Sequence, residues 1–324
     1  MRFTRRMALA LAAASMLVAG DATAQEWPSK PIELVSVGAA GGSTDTVWRV
    51  LENSVIRTLG QQVVVNYKPG GGGNIAGEYV AKSNPDGYTF MLTTIHTHGI
   101  APNVFKNLNY DPVEDLKGVA RMVVLPNVLY ANNNLPINSV KELIEYAKEN
   151  PGKVNYASSS IGASTHLSAE LFALQTGVEM MHVPYKASAP AVQGMLSGEA
   201  DISFENLSAV MPHIQAGTVK ALAVTTGGRW HDLPDTPTMV EAGVEGYEVA
   251  SWFGIVAPRE TPDDIVARFA DAIRIALEDQ DTVARMLAAG AQPAYLGPQE
   301  TEDLIRAEVA RWKPVVEAAG VTAE

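Results

Sequence analysis

The sequence predicts an α/β fold in two lobes, each a mainly parallel sheet flanked by helices, with two long strands crossing between the lobes. Three observations carry that expectation. Strand-like apolar runs alternate with helix-period segments along the chain, the pattern of βα units that build parallel sheets. These units are too many for one comfortable sheet. The chain also has 324 residues, past the roughly 250–300 at which a single core stops growing and chains divide.

The elements follow in order. Residues 31–37 read as a strand and 38–42 as a loop. Ser43 is a good N-cap residue and Asp45 an acid suited to a first turn, so a helix is expected to open there. Val47, Leu51, Val55 and Leu59 recur every four residues and give it one buried face, and Gly60 ends it. Next come a strand at 62–66, a loop at 70–73, a helix at 74–83 and a strand at 88–94. Residues 119–131 form a long apolar strand. A helix over 139–149 stops before Pro151, because the residue preceding a proline disfavours the helical region. A strand at 154–157, a loop at 158–163 and a helix at 164–176 follow, then strands at 178–183, 200–204 and 219–226 with helices between them. Residues 248–256 make a second long strand. After Pro262 the chain reads as nearly all helix, over 263–278, 280–289 and 298–318. The two long strands are natural crossing points. They divide the chain into one lobe of residues 25–125 plus 252–324 and another of 126–251.

Residues 1–24 stand apart as a signal peptide. Arg2, Arg5 and Arg6 form a positive start, Met7–Gly20 an apolar run, and Ala22-Thr23-Ala24 a small-residue cleavage site, so export to the periplasm with cleavage near Ala24 is expected. The Arg5-Arg6 pair lacks the large apolar residue that a twin-arginine signal places after it. Cleavage removes three basic residues and Asp21, which takes the net charge from −12 to −14. Nucleic acid and anionic membrane surfaces are poor partners for such a chain. The absence of cysteine excludes disulfides, thiolate metal sites, a Cys nucleophile and a lipidated N-terminal Cys, so no direct membrane anchor is expected.

Two loops carry the chemistry. Gly38, Ala39, Ala40, Gly41 and Gly42 lead into Ser43, Thr44 and Asp45; Ser158, Ser159, Ser160, Ile161, Gly162 and Ala163 lead into Ser164 and Thr165. Each follows a strand and opens a helix. Small residues let a ligand approach the backbone, the first helical N–H groups lack partners, and hydroxyls add donors. Neither loop contains Lys or Arg. A helix terminus contributes roughly 0.3–1 kcal/mol toward an anion and each charged hydrogen bond about 1.5–3 kcal/mol. About four to six such contacts therefore give micromolar affinity without a formal positive charge. Open parallel sheets bind at the C-terminal ends of their strands, so one such loop in each lobe points to a shared cleft. Glu205 and Asn206 also follow a strand and join the candidate contacts.

Other motifs are weaker. Gly71-Gly72-Gly73-Asn74-Ile75-Ala76 approximates a dinucleotide-binding fingerprint, but the next strand ends Leu92-Thr93-Thr94, without the acid that a ribose needs. The run reads better as a tight turn, and no cofactor is expected. His96 and His98 would share one face of an extended segment, yet no third ligand is near in sequence. No metal site is expected, and His98 is kept as a contact to a polar ligand. No nucleophile elbow, zinc-protease motif or phosphate-binding loop is present.

Several segments together resemble one family: Trp27-Pro-Ser-Lys-Pro-Ile, Gly41-Gly-Ser-Thr-Asp45, Asn66-Tyr-Lys-Pro-Gly-Gly-Gly-Gly-Asn-Ile75, Pro85-Asp-Gly-Tyr-Thr89, Asn155-Tyr-Ala-Ser158, His182-Val-Pro-Tyr-Lys186, Leu222-Ala-Val-Thr225 and Ser251-Trp-Phe-Gly254. They resemble the Bug family, the extracytoplasmic solute receptors of tripartite tricarboxylate transporters. The resemblance implies a type II-like periplasmic binding protein that closes on a small carboxylate, holds it through the two loops, and hands it to membrane permease subunits without catalysis. A monomer is the default. This sequence departs from the family at Gly38, where an aromatic is usual, at Ile161 and Ala163 in place of Asn and Thr, and at Glu205 in place of Asp. The changes enlarge the space and make it less polar, which favours a carboxylate with a bulky apolar or aromatic body over citrate or aspartate. Two other functions compete: an exported hydrolase of carboxylate esters using Ser160 and His166, and a ligand sensor feeding a signalling system.

Overall fold

The computed structural model describes residues 27–322. The expected signal peptide, residues 1–24, lies outside the described residues. The first lobe begins with β1 (Ile32–Ser36), α1 (Ser43–Leu59), β2 (Val63–Tyr67), α2 (Asn74–Ala81) and β3 (Thr89–Thr94). A π-helical turn, His96–Ile100, and a short helix, Ala101–Val104, lead to the long β4 (Leu116–Asn132). The second lobe follows with α3 (Val140–Glu149), β5 (Val154–Ser158), α4 (Ser164–Thr176), β6 (Met180–Pro184), α5 (Ser188–Ser197), β7 (Ile202–Asn206), α6 (Leu207–Gln215) and β8 (Val219–Val224). The chain returns through β9 (Ala250–Pro258) and ends with α7 (Asp263–Glu278), α8 (Gln280–Ala288), β10 (Gln292–Leu296) and α9 (Pro298–Ala319).

The strands form one path, β2-β1-β3-β9-β4-β7-β5-β6, with β8 and β10 also on β4. β4 belongs to both lobes. Residues from Leu116 to Pro126 pair with β9, while residues from Asn127 to Asn132 pair with β7 and β8. Because it is buried on both faces, β4 is apolar along nearly its whole length instead of alternating. The lobes are less parallel than the alternation of elements implies. β1 pairs parallel with β2 and β3, and β5 with β6 and β7, but β4, β9, β8 and β10 all add antiparallel neighbours. A strand that crosses between lobes and a strand that returns must run in opposite directions, so the sheet is mixed. β10 breaks the expected helical run after Pro262. It holds Pro293 at a register shift on a sheet edge, where a missing N–H is tolerated.

Packing fixes the lobes. Val47, Trp48, Leu51 and Val55 of α1 bury against Leu34, Phe90 and Phe269, with the Phe90 and Phe269 rings stacked at 4.3 Å. A second core runs through both lobes, from Val35 and Met91 through Leu129 to Tyr156, Phe172 and Phe204, with Trp312 and Val316 of α9 against it. Fully burying a side chain of this size stabilises by about 1.5–3 kcal/mol. Gly60 closes α1 in the left-handed region at φ 71°, where a Cβ would be strained.

Candidate functional site

The loop after β1 is built around a buried carboxylate. α1 begins at Ser43, but its N-cap is Gly42 and not Ser43, since the Thr46 N–H already bonds the Gly42 carbonyl. Gly42 has no side chain to cap with. Asp45 instead reaches back and accepts the Gly41 N–H at 2.8 Å, takes the Tyr67 hydroxyl at 2.7 Å on its other oxygen, and sits 3.2 Å from Arg49 Nε. Burial opposes its charge, but the Gly41 N–H, Tyr67 and Arg49 outweigh burial and hold its pKa below the ordinary value. Asp45 thus shapes the loop, and its oxygens are committed to the protein. Ala39, Ala40 and Gly41 are exposed, Gly38 is turned by bonds to Ser36, and Thr44 is buried. A Cβ at Gly38 would lie 2.9 Å from Thr44 Oγ1, so Thr44 refills part of the space an aromatic would take.

The loop after β5 has the same plan. α4 starts at Ser164 with Ala163 as N-cap, again without a side-chain cap. Thr165 Oγ1 accepts the Ser159 N–H at 3.0 Å and meets Ser159 Oγ at 2.9 Å. Ser158 is fully buried, its Oγ 2.7 Å from His182 Nε2. The Gly162 N–H donates to His166 Nδ1 at 2.9 Å. Ile161 stands exposed at the tip, beside Ser160, whose hydroxyl bonds the Ile161 carbonyl. The His166 ring has Nδ1 on Gly162 and Nε2 toward Glu170, 3.6 Å away. Neither nitrogen is left for Ser160, so the pair named for ester hydrolysis is not assembled here.

A chain of close contacts joins the two loops. The Gly70–Gly73 run has positive φ throughout. A Cβ on Gly73 would strike Thr97 and come within 3.4 Å of Val37, and one on Gly72 would strike His96 and Phe105. The glycines are there so that the backbone can lie against these groups, as the tight-turn reading expects. His96 Nδ1 donates in turn to the Gly162 carbonyl at 2.8 Å, across from the first lobe to the second. His96 and His98 do not share a face, because the segment is a π-helical turn and not extended. His98 is fully buried, bonded through Nδ1 to Thr93 at 2.5 Å, and burial pulls its pKa down to about 3.

Glu205 and Asn206 end β7. Glu205 is fully buried; Oε1 accepts from Ser188 Oγ at 3.0 Å and from the Asn206 N–H at 2.9 Å, and burial pushes its pKa up to about 7. Asn206 pairs with Asn127 in the crossing strand. The open depression lined by Lys30, Tyr79, Lys82 and Asp86 lies by the N-terminal ends of β1 and β3, away from both loops. Tyr67, Arg49, His166 and His182 were not among the expected contacts as loop-shaping groups. The Asp45–Arg49 spacing of four was a legible signal, whereas Tyr67 and His182 come from other strands.

Residues 47–321 match the family described as tripartite tricarboxylate transporter family receptor. The chain belongs to that family. BugT of Bordetella pertussis is 35% identical over 322 residues, covering 99% of each chain. Among solved structures, an R. palustris protein with adipate superposes with a TM-score of 0.87 at 39% identity, over 92% of this chain and 99% of that one. MatC from Rhodopseudomonas palustris with bound malate gives 0.82 at 32% identity, over 90% and 100%. The receptor family accounts for the two-lobed fold and for the segments that resembled Bug proteins. Among the described residues of this receptor, no group of three metal-ligating side chains and no membrane-length apolar helix occurs.

Proposed function

We propose that this receptor binds a small carboxylate with an apolar body between its lobes, without catalysis, and delivers it as a periplasmic monomer to the membrane permease subunits of a tripartite transporter. The lobes on this reading are residues 25–125 plus 252–324 and residues 126–251. One observation carries it. Two helices, α1 and α4, each follow the C-terminal end of a strand in a parallel pair, and each begins with no side-chain cap. Their first N–H groups, with the hydroxyls of Ser43, Thr44 and Ser164, supply donors for a carboxylate. Asp45 and Thr165 hold the loops in shape. The adipate and malate bound by the two related proteins support the ligand class. Exposed Ile161 and buried Ala163 support an apolar body, while the hydroxyl of Thr44 over Gly38 limits its width.

The test is calorimetric titration of the mature chain with adipate, longer and aromatic carboxylates, malate, citrate and aspartate. One acid per chain is expected, with adipate or an aromatic acid tighter than citrate or aspartate. At a hundredfold excess over Kd the ligand stabilises by about 2.7 kcal/mol, visible as a rise in Tm. Tight citrate or aspartate with no apolar-bodied acid bound defeats the body assignment. Turnover of an ester of these acids defeats the non-catalytic reading.

A further inference from the structure

Behind the Ser158–Thr165 loop lies a cluster of rings that no ligand contact explains. The His166 and His182 rings stack at 3.9 Å and 9°, and Tyr156 stacks on His182 at 4.7 Å and 11°. The Tyr156 hydroxyl donates to Glu170, which also faces His166 Nε2. Tyr156 and His166 are buried. Three flat rings and a half-buried carboxylate are a costly way to fill space that leucines would fill.

Their front edge touches the loop at two points. Gly162 donates its N–H to His166 Nδ1, and Ser158 Oγ meets His182 Nε2. Residues 159–161 span the interval between these points. A backbone N–H only donates, so Nδ1 of His166 carries the lone pair and its proton sits on Nε2, toward Glu170. The Gly162 N–H thus fixes the tautomer, and the Glu170 carboxylate, 3.6 Å from Nε2, favours the same one electrostatically. Gly162 has φ 73°, so the loop reverses direction at the residue being held.

We propose that His166 and His182 are positioning residues, which set the spacing of the Ser158–Gly162 backbone so that it presents its donors to a carboxylate. The inference rests on the reading of this loop as one wall of the ligand site. The two histidines act through different nitrogens, and that separates positioning from simple packing. An asparagine oxygen falls near the place of Nδ1, and a glutamine head group near that of Nε2. His166→Asn therefore keeps the Gly162 bond and His166→Gln loses it. At position 182 the order reverses: His182→Gln keeps the Ser158 bond and His182→Asn loses it.

The four variants are compared with the wild type by hydrogen exchange of the loop amides in the ligand-free chain and by calorimetry with adipate. Loss of one such bond corresponds to about a tenfold change. Faster Gly162 exchange by that factor is expected in His166→Gln but not in His166→Asn, and adipate affinity follows the same order. At position 182 the affinity is expected to fall in His182→Asn and stay within about threefold in His182→Gln. A wild-type chain that binds no acid overturns the ligand reading alone, and the exchange comparison still decides this one. Equal behaviour of the Asn and Gln variants at both positions overturns the positioning role, and a variant that fails to fold at one position leaves the pair at the other to decide.

Discussion

Glu205 is the residue whose charge is most out of place. It is fully buried, Oε1 has two donors, and Oε2 meets no partner among the described residues. Its pKa rises from 4.5 to about 7, so the folded chain holds a proton that the unfolded chain has already released. Stability from this group is full below about pH 4.5 and is lost as pH rises through about 7, a change on the order of 3 kcal/mol. His182, lowered to about 4 by burial and then by His166, acts in the opposite sense: its contribution is present above pH 6.5 and is lost as pH falls toward 4. Comparing Glu205→Gln with the wild type cancels His182. Thermal melts from pH 5 to 8 should show the variant gaining on the wild type as pH rises. A difference independent of pH would move the proton elsewhere. The sequence placed Glu205 at a strand end, but strand parity decides its surroundings. Ser203 and Glu205 face Ala157 and Ser188, while Phe204 between them enters the other core, and that choice of face needs the pairing partner.

At the scale of elements, α1 and its loop show what was legible. The four-residue apolar spacing, Gly60 and the span to Leu59 follow from local rules and are present. The cap does not follow, because Asp45 outcompetes Ser43 by bonding Gly41 and drawing in Tyr67 from β2. Asp45→Ala is expected to destabilise the chain by about 1–3 kcal/mol, the cost of leaving such groups unpaired, and to weaken carboxylate binding several-fold although Asp45 has no free oxygen for a ligand. Chemical denaturation with calorimetry checks both. Wild-type affinity with lowered stability would confine Asp45 to the fold. The π-helical turn at His96 was illegible for a related reason: its geometry is set by the Gly72 and Gly162 backbones against which His96 rests, and neither is near it in sequence.

At the scale of the molecule, the two lobes share β4 and a continuous core. The alternation of elements and the long apolar strands announced two lobes and their crossings; the antiparallel pairing and β10 required knowledge of which strands meet. A shared strand ties the stabilities of the lobes together. Native-state hydrogen exchange should give the slowest amides of β1 and of β5 the same opening free energy, and a clear gap between them would show lobes that unfold independently. The strand order has a kinetic consequence as well. β9 lies between β3 and β4, so the sheet of the first lobe stays split until residues 250–258 have emerged. Pairing across so long a separation is intrinsically slow. A growing chain of this topology keeps the sheet of its first lobe unfinished through most of its synthesis, while every strand of the second lobe is already present by Val224.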